Sequence, residues 1–369
     1  MTVQSRKNTV LVAMSGGVDS SVAAALLLEQ GYNVIGATMK IYSFDDVGGN
    51  VGKETSCCGL DGINDARMVA VRLGIPHYVF DFTKQFREQV IDNFIDEYVR
   101  GRTPNPCIVC NRAIKWGELL SKADALGADF IATGHYARLR YDETRRRYVI
   151  SKAKHDEKDQ SYALWGLSQE SLSKTLFPLG ELSKPQVRDI AEKLGLKNAA
   201  KEESFEVCFL GDDDYERFLK EQLPDLETSV GGGDVVFEGR IVGKHRGYPF
   251  YTIGQRKGIG AYGERVYVTE IDSATNTVHV GREADLMHTG LVASNVNLVA
   301  ADSIAAPMKV AAKVRYKDVL SPATAWLTDD GKLKVVFDEP KRAIAPGQSV
   351  VIYEGEALVG GGVIDEVIH

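Results

Sequence analysis

Residues Thr9 to Ser21 read Thr-Val-Leu-Val-Ala-Met-Ser-Gly-Gly-Val-Asp-Ser-Ser. A β-branched run ends at Met14, a glycine pair follows, and apolar residues at helical spacing continue from Ser20 to Gln30. Strand, glycine loop, helix is how an α/β domain opens. The glycines let the backbone approach an anion closely, and the amides that open the helix add partial positive charge, so the loop suits phosphate. The lysine of a Walker loop is missing, and the spacing does not fit G-x-G-x-x-G. Taken alone, the same residues also describe a plain glycine turn with Asp19 or Ser20 capping the helix.

Outward from this loop the alternation continues. Asn33 to Met39, His77 to Asp81 and Asp129 to Thr133 read as strands. Asp61 to Leu73, Lys84 to Val99 and Asn111 to Leu126 read as helices, and Gly31, Gly74 and Gly127 stand as C-terminal caps. That order predicts a parallel sheet covered on both faces. Beyond about Leu210 one more helix, Asp214 to Gln222, precedes the cluster Gly231 to Gly233 and a series of short strands. The strands are Val235 to Phe237, Arg265 to Ile271, Thr277 to Val280, Met308 to Val314, Ala323 to Leu327, Lys334 to Phe337 and Ser349 to Tyr353. We divide the chain into an α/β domain over 1–213, a small β-rich domain over 214–283 and a C-terminal β-barrel over 284–369.

Composition narrows the class. The 369 residues are 44% hydrophobic and 26% charged, which excludes disordered and fibrous chains. No apolar run reaches the roughly 18 residues of a membrane span, and no signal-peptide cleavage pattern precedes the glycine loop, so the expected compartment is the cytoplasm. Five cysteines are too few for a disulfide scaffold and read as core filler, metal ligands or reactive thiols. A net charge of −7 argues against a generally basic coat. Locally, Arg138 to Lys158 holds eight cations against four acids, and Arg240 to Lys257 holds five cations and no acid, interleaved with Tyr248, Phe250 and Tyr251. Such stretches suit phosphate contact and base stacking, or are solvated faces.

Two cysteines stand at C-x-x-C spacing in Arg102-Thr103-Pro104-Asn105-Pro106-Cys107-Ile108-Val109-Cys110-Asn111. Cys110 is expected at a helix N-terminus, where the dipole favours thiolate. Cys208, in Glu206-Val207-Cys208-Phe209-Leu210-Gly211, has apolar flanks and reads in isolation as a buried strand cysteine.

SGGVDSS after a first strand resembles the pyrophosphatase loop of N-type ATP pyrophosphatases, which adenylate a carbonyl oxygen. GRTPNPCIVCN, ATGHYA, KDQSY, FPLGELSKPQVR, EVCFLG, YTIGQRKGIG and APGQSVVIY, in that order, closely resemble the tRNA-specific 2-thiouridylase family, MnmA. The resemblance implies a PP-loop fold of the adenine nucleotide alpha hydrolase-like kind. It also implies ATP-dependent replacement of the C2 oxygen of a wobble uridine by sulfur, with ATP and Mg²⁺ as cofactors. Ala13, Met14, Ser15, Gly16, Gly17, Val18, Asp19, Ser20, Met39 and Gly134 would bind ATP. Cys110 would be the nucleophile and Cys208 the persulfide carrier. Asn105, Pro106 and Cys107 would face the target base, and His135, Lys158, Asp159, Gln160, Arg315, Tyr316 and Gln348 the tRNA. The implied partners are tRNA and a sulfur donor: a cysteine desulfurase, a sulfur-relay protein or free sulfide. No membrane partner is implied.

One departure bears on mechanism. Many relatives have aspartate where this chain has Cys107, so Cys107, Cys110 and Cys208 offer three thiolates. They read either as a persulfide relay with Cys107 in a catalytic position, or as the ligands of an iron-sulfur cluster. A zinc site would need Cys57 or Cys58 as a fourth ligand. Two further readings compete: a small-molecule ATP pyrophosphatase, and a tRNA-binding protein that uses ATP only structurally.

Overall fold

Strand β1 (Thr9–Ala13) is buried along its whole length. It pairs in parallel with β2 (Asn33–Lys40) on one side and β4 (Phe130–Ala132) on the other. With β3 (His77–Asp81) and β7 (Thr175–Leu176) they form a five-stranded parallel sheet of order β3-β2-β1-β4-β7. A central parallel strand has no solvent face, so an entirely apolar run suits it. Helices α1 (Val18–Glu29) and α2 (Leu60–Leu73) connect the first three strands. α1 has eight buried residues among its twelve, and the core that it joins includes Val10, Val12, Val22, Leu27, Val69 and Val187.

This computed structural model describes residues 7–42, 60–196, 207–210, 214–260 and 262–369. It divides into two units. The first comprises residues 1–90, 107–213 and 356–358, and the second 91–106, 214–355 and 359–369. The first also carries an antiparallel hairpin, β5 (Ala137–Asp142) with β6 (Arg147–Lys152). The sequence reading takes this stretch only as a run of cations, and the structure shows that Arg138, Arg140, Arg147 and Lys152 lie on its two strands.

In the second unit, β8 (Asp234–Phe237), β9 (Arg240–Lys244), β10 (Tyr267–Asp272) and β11 (Thr277–Gly281) form a sheet of order β10-β11-β8-β9. The remaining strands are β12 (Met287–Leu298), β13 (Met308–Lys313), β14 (Ser321–Leu327), β15 (Leu333–Arg342), β16 (Ser349–Glu354) and β17 (Ala357–Ile368). They run β12-β15-β14-β13-β16-β17, and pairing of β12 with β17 closes them into a six-stranded barrel. Its filling includes Leu291, Val310, Val335, Phe337, Val350, Ile352 and Ile364. Helix Asp92–Val99 belongs to this unit: Tyr98 stacks on Tyr215 at 4.8 Å, and Tyr248 Oη donates to the Val99 carbonyl at 2.6 Å.

The structure corrects two local expectations. The helix expected from Asn111 begins at Pro106, continues through π-helical turns over Asn111–Leu119 and ends at Ala125. Proline at a first helical position gives up an amide that has no intrahelical partner, so Pro106 starts a helix where a local reading sees only a breaker. The cysteine segment is not a strand: the Leu210 amide donates to the Val207 carbonyl at 2.9 Å, making a turn around Cys208.

Trp116 and Thr175 test the packing of the first unit. The buried indole Nε1 donates to Thr175 Oγ1 at 2.7 Å, and that hydroxyl donates to the Ser171 carbonyl at 2.7 Å. Thr175→Val keeps the volume and strands a buried N–H, so it should lower unfolding free energy by about 1–3 kcal/mol, read as a reduced urea midpoint with unchanged slope.

Candidate active site

The loop leaving β1 enters α1 without a side-chain cap. Gly17 is the N-cap, in extended conformation, and no side chain of its own caps the first turn. The Asp19 or Ser20 cap of the plain-turn alternative is therefore absent, and the N-terminus of a twelve-residue helix faces the loop, the arrangement that binds anions. Hydroxyls brace the turn. Ser15 N donates to Ser20 Oγ at 3.2 Å, and Ser21 Oγ donates to the Gly17 carbonyl at 2.9 Å. Gly134, just past β4, lies against this helix start: a Cβ there would sit 2.7 Å from Ser20 N and 2.9 Å from Asp19 C. Only glycine permits that approach.

Ser15, Gly16, Gly17, Asp19, Ser20 and Gly134 are thus brought together. Ala13, Met14 and Val18 have buried side chains and can offer a nucleotide only their backbone. Met14 is tied into the sheet, its amide donating to the Ala37 carbonyl at 2.7 Å and its carbonyl accepting from Thr38 Oγ1 at 2.8 Å. Met39 is half-buried near the end of β2.

The Asp19 carboxylate receives two groups from distant sequence. Lys184 Nζ lies 2.7 and 2.8 Å from its two oxygens, and Tyr136 Oη donates to Oδ1 at 2.7 Å. The Lys184 side chain is 9% exposed and that of Asp19 31%. Lys184 opens helix Lys184–Lys193, which is capped by Ser183 and Gln186 in a capping box. The sequence reading missed both partners. A signal existed for Lys184, because a cation in the first turn of a helix opposes the helix dipole and is tolerated when an anion sits nearby. With one carboxylate, three serine hydroxyls and a cradle of amides, the residues fit a Mg²⁺-bound polyphosphate, since Mg²⁺ is usually held by one or two carboxylates plus phosphate oxygens.

Tyr136 extends the network. Its amide donates to Gln160 Oε1 at 3.0 Å, and Gln160 N donates back to the Tyr136 carbonyl at 2.9 Å. Asp159 is 7% exposed, and its carboxylate accepts from Ala153 N at 2.9 Å, Ser161 N at 3.2 Å and Ser161 Oγ at 2.9 Å. Of the Lys158-Asp159-Gln160 segment, two side chains therefore brace the turn from within. His135 lies between Trp116 and Phe177, with ring centroids at 5.8 and 6.3 Å, and its Nδ1 is 2.7 Å from Thr133 Oγ1. Burial, with the nearby Lys115 ammonium, holds its imidazole well below the usual histidine range. It is neutral at pH 7 and can meet RNA only as a hydrogen-bonding or stacking group.

Cys107 is exposed, while Cys110 and Cys208 are half-buried. Because the helix starts at Pro106, the first turn holds Cys107, and Cys110 lies a turn further in, contrary to the expected position of Cys110. Phe209, 5.8 Å from Phe86, anchors the turn that carries Cys208. Among the described residues no group of three or more His, Cys, Asp or Glu is placed to hold a metal ion, so the three thiols are not gathered as a ligand set. Cys57 and Cys58 lie outside the described residues.

In the second unit, Arg315 and Tyr316 occupy the β13–β14 loop, which is fixed by Asp318: its carboxylate accepts from Val314 N and Val319 N and pairs with Lys341 at 2.9 Å. Tyr316 is 41% exposed. The Gln348 amide donates at 3.1 Å to the carbonyls of both Thr103 and Pro104. The basic stretches are partly neutralised by acids from elsewhere: Arg138 meets Glu356, Lys244 meets Asp234 and Arg246 meets Glu216. Arg256 and Lys257 are exposed in a glycine-rich loop.

A parallel-sheet domain with an anion cradle after its first strand, in one chain with a small β-sheet and a closed barrel, defines a class of nucleotide-using enzyme. Residues 8–212 match the tRNA methyl transferase HUP domain, 216–282 the tRNA methyl transferase PRC-barrel domain, and 288–364 the aminomethyltransferase beta-barrel domain. The chain is 52% identical to the tRNA-specific 2-thiouridylase MnmA of Salinibacter ruber, over 98% of this chain and 96% of that one. It is 51% identical to the MnmA of Cytophaga hutchinsonii, over 97% of each chain, and 49% identical to that of Acetivibrio thermocellus, over 97% of this chain and 99% of the relative. It belongs to the MnmA family of tRNA-specific 2-thiouridylases.

Lys184→Met should cut ATP-dependent pyrophosphate release at least about tenfold and lower stability by roughly 1–2 kcal/mol, a modest cost because Asp19 is partly solvated. Adding Asp19→Asn should recover stability without recovering activity; calorimetry and pyrophosphate assays check both. A second expectation concerns pH. The folded pKa of His135 lies below its unfolded value of about 6.5, so the unfolded chain takes up the proton first. Stability should be whole above that value and decline as pH falls below it. Urea midpoints at pH 7.5 and 5.5 should differ less in His135→Asn than in the parent.

Proposed function

We propose that this protein uses ATP to replace the C2 oxygen of the wobble uridine of tRNA with sulfur. The observation that carries the reading is that one compact unit holds both a cradle suited to ATP phosphates and the thiols Cys107, Cys110 and Cys208. The uridine O2 attacks the α-phosphorus of ATP, pyrophosphate departs, and O2 becomes part of an AMP leaving group. Lys184 and the amides at the head of α1 receive the charge of the departing pyrophosphate. Asp19 would hold Mg²⁺, which neutralises charge on the phosphates.

Sulfur follows by a balanced relay. The outer sulfur of a persulfide on Cys208 attacks C2, and AMP leaves with the original oxygen. The Cys110 thiolate then attacks Cys208 Sγ, the persulfide S–S bond breaks, and its electron pair stays on the sulfur now bonded to C2. The products are 2-thiouridine and a Cys110–Cys208 disulfide. A dithiol reductant restores the thiols, and a donor persulfide, from a cysteine desulfurase or relay protein, recharges Cys208. The structure does not assemble three cysteines as ligands, so we derive no step through an iron-sulfur cluster. Cys107 takes the place where many relatives have a carboxylate, and we assign it proton transfer beside the base.

We place Asn105, Pro106 and Cys107 at the target base. Lys158, Arg315 and Tyr316 face the RNA outward, with His135 contributing a neutral contact, and Asp159 and Gln160 shape the turn that Lys158 occupies. The segments 1–213, 214–283 and 284–369 serve as catalytic, connecting and RNA-gripping domains. No helix among the described residues is long and apolar enough to cross a membrane, and we assign the protein to the cytoplasm, where its substrate tRNA resides.

The deciding experiment is anaerobic thiolation of tRNA by Cys107→Asp, with iron and acid-labile sulfide measured on the same sample. The relay expects activity within about fivefold of the parent and no iron in either protein, because a carboxylate can also move a proton. Stoichiometric iron in the parent, lost together with activity in the variant, would establish the cluster instead. A parent that releases pyrophosphate without tRNA would point to a small-molecule substrate.

A further inference from the structure

The loop Arg102-Thr103-Pro104-Asn105-Pro106 leads into Cys107 and belongs to the second unit, and the partners described for its first three residues lie in that unit too. Thr103 N donates to the Pro346 carbonyl at 2.8 Å. Gln348 Nε2 donates to the carbonyls of Thr103 and Pro104, both at 3.1 Å. Two carbonyl acceptors fix which end of the Gln348 amide is nitrogen, since only that end donates. Arg102 donates through Nε to Glu97 at 2.7 Å and through Nη2 to the Ile364 carbonyl at 3.2 Å, with Asp365 beside it at 3.3 Å. Gly347, at φ +89°, makes the approach feasible: a Cβ there would lie 2.8 Å from Thr103 N and 2.9 Å from its carbonyl oxygen.

Gln348 is itself rigidly placed. Its carbonyl accepts from Ile364 N at 2.8 Å, and the Gly347 amide donates to the Ile364 carbonyl at 2.9 Å, so the turn before β16 is bonded to β17 on both sides of the side chain. A residue placed only to touch RNA would not need both amide hydrogens directed at its own protein's backbone.

We infer that Gln348 is a positioning residue: with Gly347 and Arg102 it clamps the barrel to the loop that leads into Asn105-Pro106, and so sets where the target base is presented. The inference rests on the reading above that Asn105 and Pro106 face that base. It reassigns Gln348 from a tRNA contact to a donor that acts through the loop. It also makes residues 91–106 part of the RNA-gripping body. An RNA seated on the barrel is thereby registered against the base-facing loop by bonds within one unit.

The test uses the full-length protein with two variants. Gln348→Ala removes the donor, and Gly347→Ala forces the loop away while leaving the Gln348 side chain intact. Both should speed hydrogen exchange in peptides covering residues 100–110 and lower kcat for thiolation about tenfold, with the Kd for tRNA within about twofold of the parent, as a misplaced reactant requires. A Gln348→Ala protein with unchanged exchange, or with a raised Kd at unchanged kcat, overturns the proposal and restores Gln348 as an RNA contact. Faster exchange with unaltered kcat and Kd also overturns it, since the loop's position would then not matter. Failure of the thiolation reading itself would show as a parent without thiolation activity, and the exchange result would still report on the clamp.

Discussion

Asp19 stands at the head of α1 with Lys184 and Tyr136 bonded to it, and much of the first unit is arranged to make that contact. A carboxylate in the first turn of a helix is favoured by the helix dipole, but beside a phosphate site it would repel the ligand. Lys184 cancels that repulsion. To deliver the ammonium, helix Lys184–Lys193 must begin where it does, and a proline and a capping box define that start. To deliver the phenol, Tyr136 must lie just after β4, where Gly134 allows the chain to pass against α1. The cradle is therefore a consequence of the packing of β1, β4 and two helices around one charge.

The same logic explains why so many named polar residues face inward. Asp159, Gln160 and Gln348 each satisfy backbone groups of a neighbouring turn. A buried or half-buried polar group without a partner is costly, so a loop that must hold its shape without regular structure takes its hydrogen bonds from side chains. Such loops can present a few outward residues, here Lys158 or Arg315 with Tyr316, in a fixed place.

Much of the first half was legible in the sequence because parallel sheets write plainly. The strands Thr9–Ala13, Asn33–Lys40 and His77–Asp81 are near-continuous apolar or β-branched runs, and Gly31, Gly74 and Gly127 mark three helix ends. The second half was legible only in part. β17 contains Gly360-Gly361-Gly362, which reads locally as a turn, yet Gly360 and Gly361 pair with Leu298 and Asn297 of β12. A Cβ at Gly360 would meet the Asn297 carbonyl at 2.5 Å, so glycine there marks close strand approach across a bulged seam. β5 and β6 are not among the expected strands, because the cations at alternate positions of β5 also read as part of a basic stretch.

Elements with local signals can be read from the chain before it folds. These are the apolar run of β1, the glycine loop at the head of α1, the glycines that end three helices, and the identity of the thiols. The partners come from the fold: Lys184 for Asp19 across 165 residues, Gln348 for Thr103 across 245, and β12 for β17 at the barrel seam. The physical reason is range. Propensity, capping and periodicity act within a turn or two of chain. Which carboxylate meets which ammonium, and which amide meets which carbonyl, depends on how buried surfaces fit together, and a local pattern carries no record of that fit.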